Sequence, residues 1–310
     1  MYHMKTWNDL GIAGELGVGT WAWGDKSVWG YGKNYSEDDL RQAFTTTISS
    51  GINLLDTAEM YGYGLSEKMI GKFMQEQKAT PLIATKFMPV PWRLRRRDLI
   101  NALQRSIKRL GVDSVLLYQI HWPLHVRSLN AWMDALSEAV ERGLTQAVGV
   151  SNYSAAQMRR AHERLAKHGI PLISNQVEYS LIHRAPEKND VLKACNELGI
   201  KLIAYSPIGM GVLTGKYTAD KMLPGYRGIR FNRYLARVEQ LTMLMKEIGQ
   251  GHGTKTPSQV ALNWTICKGT FPIPGAKNSG QAIENAGAQG WKLTQDEITA
   301  IERAADAVRA

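Results

Sequence analysis

Short apolar runs recur along the chain and alternate with longer amphipathic stretches. The runs are "INLL" (52–55), "PLIAT" (81–85), "VLLYQI" (115–120), "TQAVGV" (145–150), "LISNQ" (172–176) and "KLIAY" (201–205). Apolar residues fill consecutive rather than alternate positions in them, which is the pattern of parallel strands covered on both faces. The intervening segments read as helices: "SEDDLRQAFTTTISSG", "RRDLINALQRSIKRLG", "LNAWMDALSEAVERG", "SAAQMRRAHERLAKHG", "NDVLKACNELG" and "TPSQVALNWTICKG". Several open on Ser, Thr or Asn and close on Gly, the residues that satisfy helix ends. The units repeat every ~25–35 residues, a length that suits one βα unit.

With "GVGTW" before these units and "FPIPG" after them, the strands number eight. No Pro/Gly/Ser linker and no shift of composition divides the 310 residues. The expectation is therefore an α/β fold, a (β/α)8 TIM barrel forming one domain over residues 1–310. A doubly wound nucleotide-binding sheet is the competing architecture, and it calls for G-x-G-x-x-G after the first strand. "GVGTWAWG" has a different spacing and leads into "DKSVWGYGKN" rather than a helix.

Composition narrows the partners. At 44% hydrophobic and 21% charged the chain can bury a substantial core. Its 38 basic against 28 acidic residues give a formal charge of +10, compatible with nucleic acid, an anionic surface or a phosphorylated ligand. Outside "RLRRRD" (93–98) the basic residues are dispersed, and no helix-turn-helix, zinc-finger or RNP signature occurs, so no nucleic-acid partner is expected. "RLRRRD" reads as the exposed start of a helix. Cys195 and Cys267 have neither metal nor CxxC spacing, which argues against disulfides and for a reducing compartment. No run approaches the ~18 apolar residues of a membrane span. "MYHMKTWNDLG" lacks the apolar core of a signal peptide, so a cytoplasmic location is expected, and "NYS" at Asn34 and Asn152 reads as a chance match to a glycosylation acceptor.

In a barrel the chemistry gathers where strands end. Directly behind the second, third and fourth strands stand Asp56 with Tyr61, Lys86 and His121. Singly, an Asp caps a helix, a Lys is solvated and a His closes a core hydrogen bond. At matching positions of successive units they converge on one mouth instead. The chemistry that uses them together is carbonyl reduction, because hydride addition leaves an alkoxide that needs a proton and an electrostatic cradle. A phenol is a weak acid, with a reference pKa of about 10. An adjacent ammonium favours its ionised form, and a carboxylate holds that ammonium in place. Tyr61 is thus the expected acid, Lys86 its perturber, Asp56 the partner of the lysine and His121 the group orienting the carbonyl. A metal-dependent hydrolase fits less well, since no second His or paired carboxylate stands at ligand spacing from His121.

Over nearly its whole length the sequence resembles the aldo-keto reductase family, in "GINLLDTAEMYGYGLSE", "ATK", "LYQIHWP", "AVGVSNYS", "NQVEYS", "LIAYSPIGMGVLTGKY" and "IPGAKNSGQAIEN". "HWP" and "IPGAKN" are similar to the plant and cyanobacterial branch of uncharacterised oxidoreductases. The resemblance implies a (β/α)8 barrel that binds NADP(H) without a Rossmann motif, with the family's tetrad at Asp56, Tyr61, Lys86 and His121. It implies that Ser151, Asn152 and Gln176 hold the nicotinamide carboxamide and that Tyr205 stacks on the ring, with Gly19, Thr20 and Trp21 at the first strand end. Ser206, Pro207, Ile208, Gly209, Gly211 and Leu213 then form the pyrophosphate loop, with Lys216 as its charge. Pro274 and Gly275 lead to Lys277 and Asn278 at the adenosine 2′-phosphate, and Gln281, Glu284 and Asn285 lie on adenine and ribose.

The chain departs from many relatives at Gln281, where they place an arginine that grips the 2′-phosphate, so selectivity for NADPH over NADH is expected to soften. Trp21, Trp23, Tyr63, Phe87, Trp92 and Trp122 lie just beyond the first four strands and are expected to wall a pocket for a small-molecule carbonyl. "PGYRGIRFN" (224–232) reads as a long loop whose Arg227 and Arg230 either close on the cofactor or face solvent. A redox sensor of the same fold, like the potassium-channel β-subunits, is the alternative function. The oligomeric state is not legible in the sequence.

Overall fold

A computed structural model describes residues 6–124 and 128–309. The first five residues, part of the stretch read for targeting, lie outside it. The strands are β1 (Val18–Gly19), β2 (Leu54–Asp56), β3 (Leu82–Phe87), β4 (Val115–Ile120), β5 (Thr145–Ser151), β6 (Leu172–Glu178), β7 (Lys201–Tyr205) and β8 (Phe271–Pro272). They form one parallel sheet in chain order, β1 to β8. The two edges are joined as well: Gly17 N donates to Pro272 O and Gly19 N to Pro274 O, both at 3.0 Å, and Gly19 bridges Gly275. Parallel strands so ordered, with helices between them, are consistent with a (β/α)8 barrel. Gly19 is needed at this seam, where a Cβ would lie 2.9 Å from the Ile273 carbonyl oxygen.

The helices are α1 (Glu37–Ser49), α2 (Leu65–Gln77), α3 (Arg96–Leu110), α4 (Leu129–Glu141), α5 (Ala155–Ala166), α6 (Ala185–Lys188), α7 (Val191–Leu198), α8 (Gly225–Phe231), α9 (Leu235–Gly251), α10 (Pro257–Cys267), α11 (Ser279–Ala286) and α12 (Gln295–Arg309). Their caps follow the sequence: Ser36, Ser154 and Thr256 each accept a backbone N–H three residues on, and Gly111 ends α3 at a φ of 68°. Two segments differ from the sequence reading. Residues 225–231 are helical rather than a loop. "RLRRRD" does open α3, but Arg93 is turned inward, bonding the Glu59 carboxylate and the Met88 carbonyl with its guanidinium over the Phe87 ring. None of the helices among the described residues is long and apolar enough to cross a membrane.

Strand alternation sorts the core into two clusters. One packs the outward faces of the strands, such as Leu55, Ile83, Tyr118 and Val148, against the helices. The other gathers Leu54, Ala84, Leu117, Ala147, Ile203 and Phe271, with Trp7 seated edge-on against Phe271 at 5.0 Å. Two residues further along, that same inner face carries polar groups, Asp56, Lys86 and Gln119, in place of apolar ones.

Candidate active site

Asp56 ends β2 and is 2% exposed, while Lys86 on the neighbouring β3 is 0% exposed. Lys86 Nζ donates to Asp56 Oδ1 at 2.5 Å, to the Thr57 carbonyl at 2.8 Å and to the Tyr61 hydroxyl at 3.3 Å. The second carboxylate oxygen accepts from Gln176 Nε2 at 2.8 Å and Gln119 Nε2 at 3.4 Å. Asp56 is thus held by amide groups reaching from β4 and β6, neither of which competes with Lys86 for charge. Gly149 makes room for Gln119, since a Cβ there would meet Ser174 Oγ and Gln119 Cγ.

Tyr61 opens a 3-10 turn, Tyr61–Gly64, in which Gly62 and Tyr63 take left-handed angles, φ 56° and 55°. The turn keeps Tyr61 over Lys86 and throws Tyr63 outward. His121, whose backbone N–H donates to Phe87 O at 2.8 Å, meets the Tyr61 ring edge-on at 5.8 Å. Its Nδ1 is buried without a hydrogen-bond partner.

Burial sets the charge states. It raises the Tyr61 phenol above its ordinary value, and the nearby Lys86 ammonium only partly offsets the rise. For Lys86, burial is the largest influence and opposes the charged form, but Asp56 and Tyr61 together outweigh it and the ammonium is held above its usual range. Burial, then Lys86, pulls His121 down to about 3, so it is neutral at physiological pH. The site therefore holds a protonated phenol, an ammonium and a neutral imidazole.

These groups open into a cleft of about 610 Å³ that runs from Tyr61 and His121 to α11. Gly19, Trp21, Asp56, Ser151, Asn152, Gln176 and Tyr205 line its inner end. Asn152 Nδ2 donates to the His121 carbonyl at 3.1 Å, Tyr205 OH to Asn152 Oδ1 at 3.1 Å, and Ser151 Oγ to the Gln176 carbonyl at 2.8 Å. Ser206, Pro207, Ile208, Gly211, Lys216 and Arg227 follow, then Gly275, Lys277, Gln281, Glu284 and Asn285 at the far end.

Other expected cofactor residues stand behind this lining. Thr20 is fully buried, its hydroxyl donating to the Asp56 carbonyl at 2.9 Å. Leu213 and Gly209 are buried within the 209–214 turn, Pro274 accepts from Gly19 at the seam, and Asn278 caps α11 by accepting the Gln281 N–H at 3.0 Å.

Four residues expected in the substrate wall do not face the cleft. Trp23 is fully buried, donates from Nε1 to the Ala276 carbonyl at 2.9 Å and packs edge-on against Phe73. Phe87 follows Lys86 on β3, so alternation turns it to the helix side, where it meets Trp132 at 5.0 Å. Tyr63 and Trp92 are 92% and 78% exposed and lie outside the lining. Trp21 and Trp122 do line it, joined by Met60, Tyr226 and a Glu178–Arg230 ion pair. Trp29 and Ser258 are lining residues that the sequence did not single out. Their signal is tertiary: each has a buried side-chain donor, Trp29 Nε1 and Ser258 Oγ, without a partner.

The far half of the cleft is cationic. Burial, then Arg227 and Lys216, lowers the Lys277 ammonium. Among the described residues none of the ion pairs engages Lys216, Arg227 or Lys277. Cations without a carboxylate and orphaned donors in one channel suit an anionic ligand.

Comparison with known proteins agrees with this architecture. The model of the "Aldo/keto reductase family" matches residues 15–306. The chloroplastic pyridoxal reductase of Arabidopsis thaliana is 43% identical over 304 residues, 94% of this chain and 82% of that protein. An NADP(+) aldo-keto reductase of Schizosaccharomyces pombe is 30% identical over 294 residues, 87% of this chain and 84% of its own. Among solved structures, the glycerol dehydrogenase of Gluconobacter oxydans superposes with a TM-score of 0.81 at 25% identity, covering 94% of this chain and 90% of that one. Matched by the family model along almost all its length and carrying a buried Asp–Lys pair bonded to a tyrosine at the mouth of its strands, the protein belongs to the aldo/keto reductase family of oxidoreductases.

Proposed function

We propose that the chain, as a single (β/α)8 barrel domain, is an NADPH-dependent reductase that converts an aldehyde or ketone to the alcohol. The observation that carries this reading is the relay from the buried Asp56–Lys86 pair to the half-buried Tyr61 hydroxyl, opening beside a neutral His121 into the cleft. NADP(H) fits the residues present: Lys216, Arg227 and Lys277 are cations without a carboxylate partner, and Trp29 Nε1 and Ser258 Oγ are donors awaiting an acceptor. The name of the fission-yeast relative supports the same dinucleotide. Asn152 and Gln176 would hold the nicotinamide amide, and Tyr205 its ring.

When bound, the dinucleotide supplies the hydride. The residues of the chain do the rest. His121, with one N–H as a neutral imidazole, donates to the carbonyl oxygen and fixes its position. Tyr61 gives its phenolic proton to that oxygen as negative charge develops on it. Lys86 stabilises the phenolate left behind, and Asp56, locked by Gln176 and Gln119, keeps the ammonium in place. Trp21, Trp122 and Met60 offer an apolar wall suited to an aromatic aldehyde, and the name of the Arabidopsis relative makes pyridoxal the first compound to try.

The test follows NADPH oxidation by absorbance against an aromatic aldehyde, pyridoxal, methylglyoxal and a sugar aldehyde. Turnover that falls ~10²–10⁴-fold in Tyr61→Phe while NADPH binding persists is the expected result. Tight NADPH binding with no turnover on any aldehyde would move the protein to the sensor class.

A further inference from the structure

Trp29 lies on the long connection between β1 and α1, pinned there because the Asp25 carboxylate accepts both the Val28 and Trp29 backbone N–H groups, at 2.7 and 3.0 Å. Its indole meets Trp21 edge-on at 5.7 Å, so it is braced from the inner end of the cleft. Two cations rest on that ring. Arg227 of α8 has its guanidinium carbon 5.3 Å from the centroid, and Lys277, beyond β8, has its Nζ at 5.1 Å. Tyr217 backs Arg227 at 5.7 Å and Tyr35 backs Lys277 at 5.3 Å. Arg227 also donates from one terminal nitrogen to the Met210 carbonyl at 3.3 Å. An aromatic face attracts a cation without neutralising its charge, as a carboxylate partner would.

Arg227 stands near enough to lower the Lys277 ammonium, among the described residues neither cation is in an ion pair, and the indole N–H beside them is buried without an acceptor. Such a site suits an anionic oxygen group. Nearby, Gln281 carries no charge, and its side-chain oxygen is already engaged by the Lys277 backbone N–H at 2.9 Å.

We infer that Trp29 sets the preference of this chain for a dinucleotide bearing a 2′-phosphate, by presenting Arg227 and Lys277 as a cation pair where Gln281 supplies no charge. The inference rests on the proposed reductase function. It makes Trp29 a positioning residue that works through the two cations and adds its own N–H, and it reverses the softened selectivity that Gln281 alone predicts.

Calorimetric titration of wild type, Trp29→Phe and Trp29→Ala with NADPH, NADH and 2′-AMP tests it. Trp29→Ala is expected to weaken NADPH and 2′-AMP about tenfold and NADH less than twofold. Trp29→Phe, which keeps an aromatic face but loses the N–H, is expected to recover part of that loss. Equal weakening of NADPH and NADH would reduce Trp29 to a structural part and overturn the inference, as would unchanged affinities in both variants. A misfolded alanine variant leaves the phenylalanine variant to decide by the same ratio. Failure of the wild type to bind NADPH overturns the functional reading and this inference with it. Wild-type binding with unaltered selectivity in both variants overturns this inference alone.

Discussion

Replacing Lys86 with Met removes an ammonium that is 0% exposed and bonded to Asp56, Thr57 O and Tyr61 at 2.5, 2.8 and 3.3 Å. The carboxylate left behind is 2% exposed and keeps only the amide donors of Gln176 and Gln119. Stripping one partner from a buried ion pair costs about 3–5 kcal/mol, a large share of the ~5–15 kcal/mol that holds a domain folded. The variant is therefore expected to unfold at a clearly lower urea concentration, measured without dinucleotide so that ligand binding does not mask the loss. Asp56→Asn, which strands the ammonium instead, is expected to cost a comparable amount.

The double variant separates stability from chemistry. With both charges gone, the amide introduced by Asp56→Asn still meets Gln176, and most of the lost stability returns, giving a coupling of ~3 kcal/mol in the double-mutant cycle. Carbonyl reduction does not return, because burial then raises the Tyr61 phenol with no ammonium to counter it. Reduction is expected to stay ~10²–10⁴-fold down in Lys86→Met and in the double variant alike. Wild-type stability in Lys86→Met, or renewed turnover in the double variant, would refute the assignment of the pair as both a structural clasp and the perturber of Tyr61.

Further consequences are open to measurement. An unfolded histidine takes its proton at about 6.5, whereas folded His121 holds off until about 3. The stability it contributes is fully present above the first value and drains as pH falls towards the second, so the urea midpoint of His121→Asn should fall less steeply with pH across that window. A His121 ring that titrates near pH ~6–7 by NMR, the range of an unperturbed imidazole, would contradict this. Trp23→Phe, which leaves a gap beside Phe73 and the Ala276 carbonyl without its donor, is expected to cost about 2–3 kcal/mol with little change in KM for the carbonyl. Tyr63→Ala, at a 92% exposed position, should shift stability by no more than ~0.5 kcal/mol. A large KM effect from either change would restore that residue to the substrate wall.

Asp56, Tyr61, Lys86 and His121 were legible in sequence because adjacent parallel strands bring their ends to one rim, whatever the helices between them do. The same alternation would have excluded Phe87, the immediate neighbour of an inward Lys86. Trp23 is harder. It stands two residues from Trp21, which in a strand would share its face, but the chain has left the sheet, and Trp23 N closes a turn onto the Thr20 carbonyl at 2.9 Å. That turn sends one indole into the cleft and the other into the core. Tyr63 was lost in the same way, to a pair of left-handed residues. Gln119, Ser174 and Gly149, which steady Asp56 from behind, carry no motif of their own, and only the strand register assembles them. Trp29 and Ser258 were invisible because an unsatisfied donor is a property of surroundings and not of residue type.

Residue types alone also mislead on one sign, and the correction bears on how the site works. They suggest that the Lys86 ammonium draws the Tyr61 phenol downward, whereas burial outweighs that pull and leaves the phenol above its ordinary value. One cause thus acts on both flanking groups, holding the proton on Tyr61 and keeping it off His121. For the proton donor proposed above this is the useful resting state, since a phenol already ionised would have nothing to give to an alkoxide. On that reading the ammonium is most effective after transfer, when the charge beside it is a phenolate. On the proposed reaction Lys86 acts mainly on the state that follows proton transfer, and Asp56, with Tyr61, matters by keeping that ammonium charged against the burial that would discharge it.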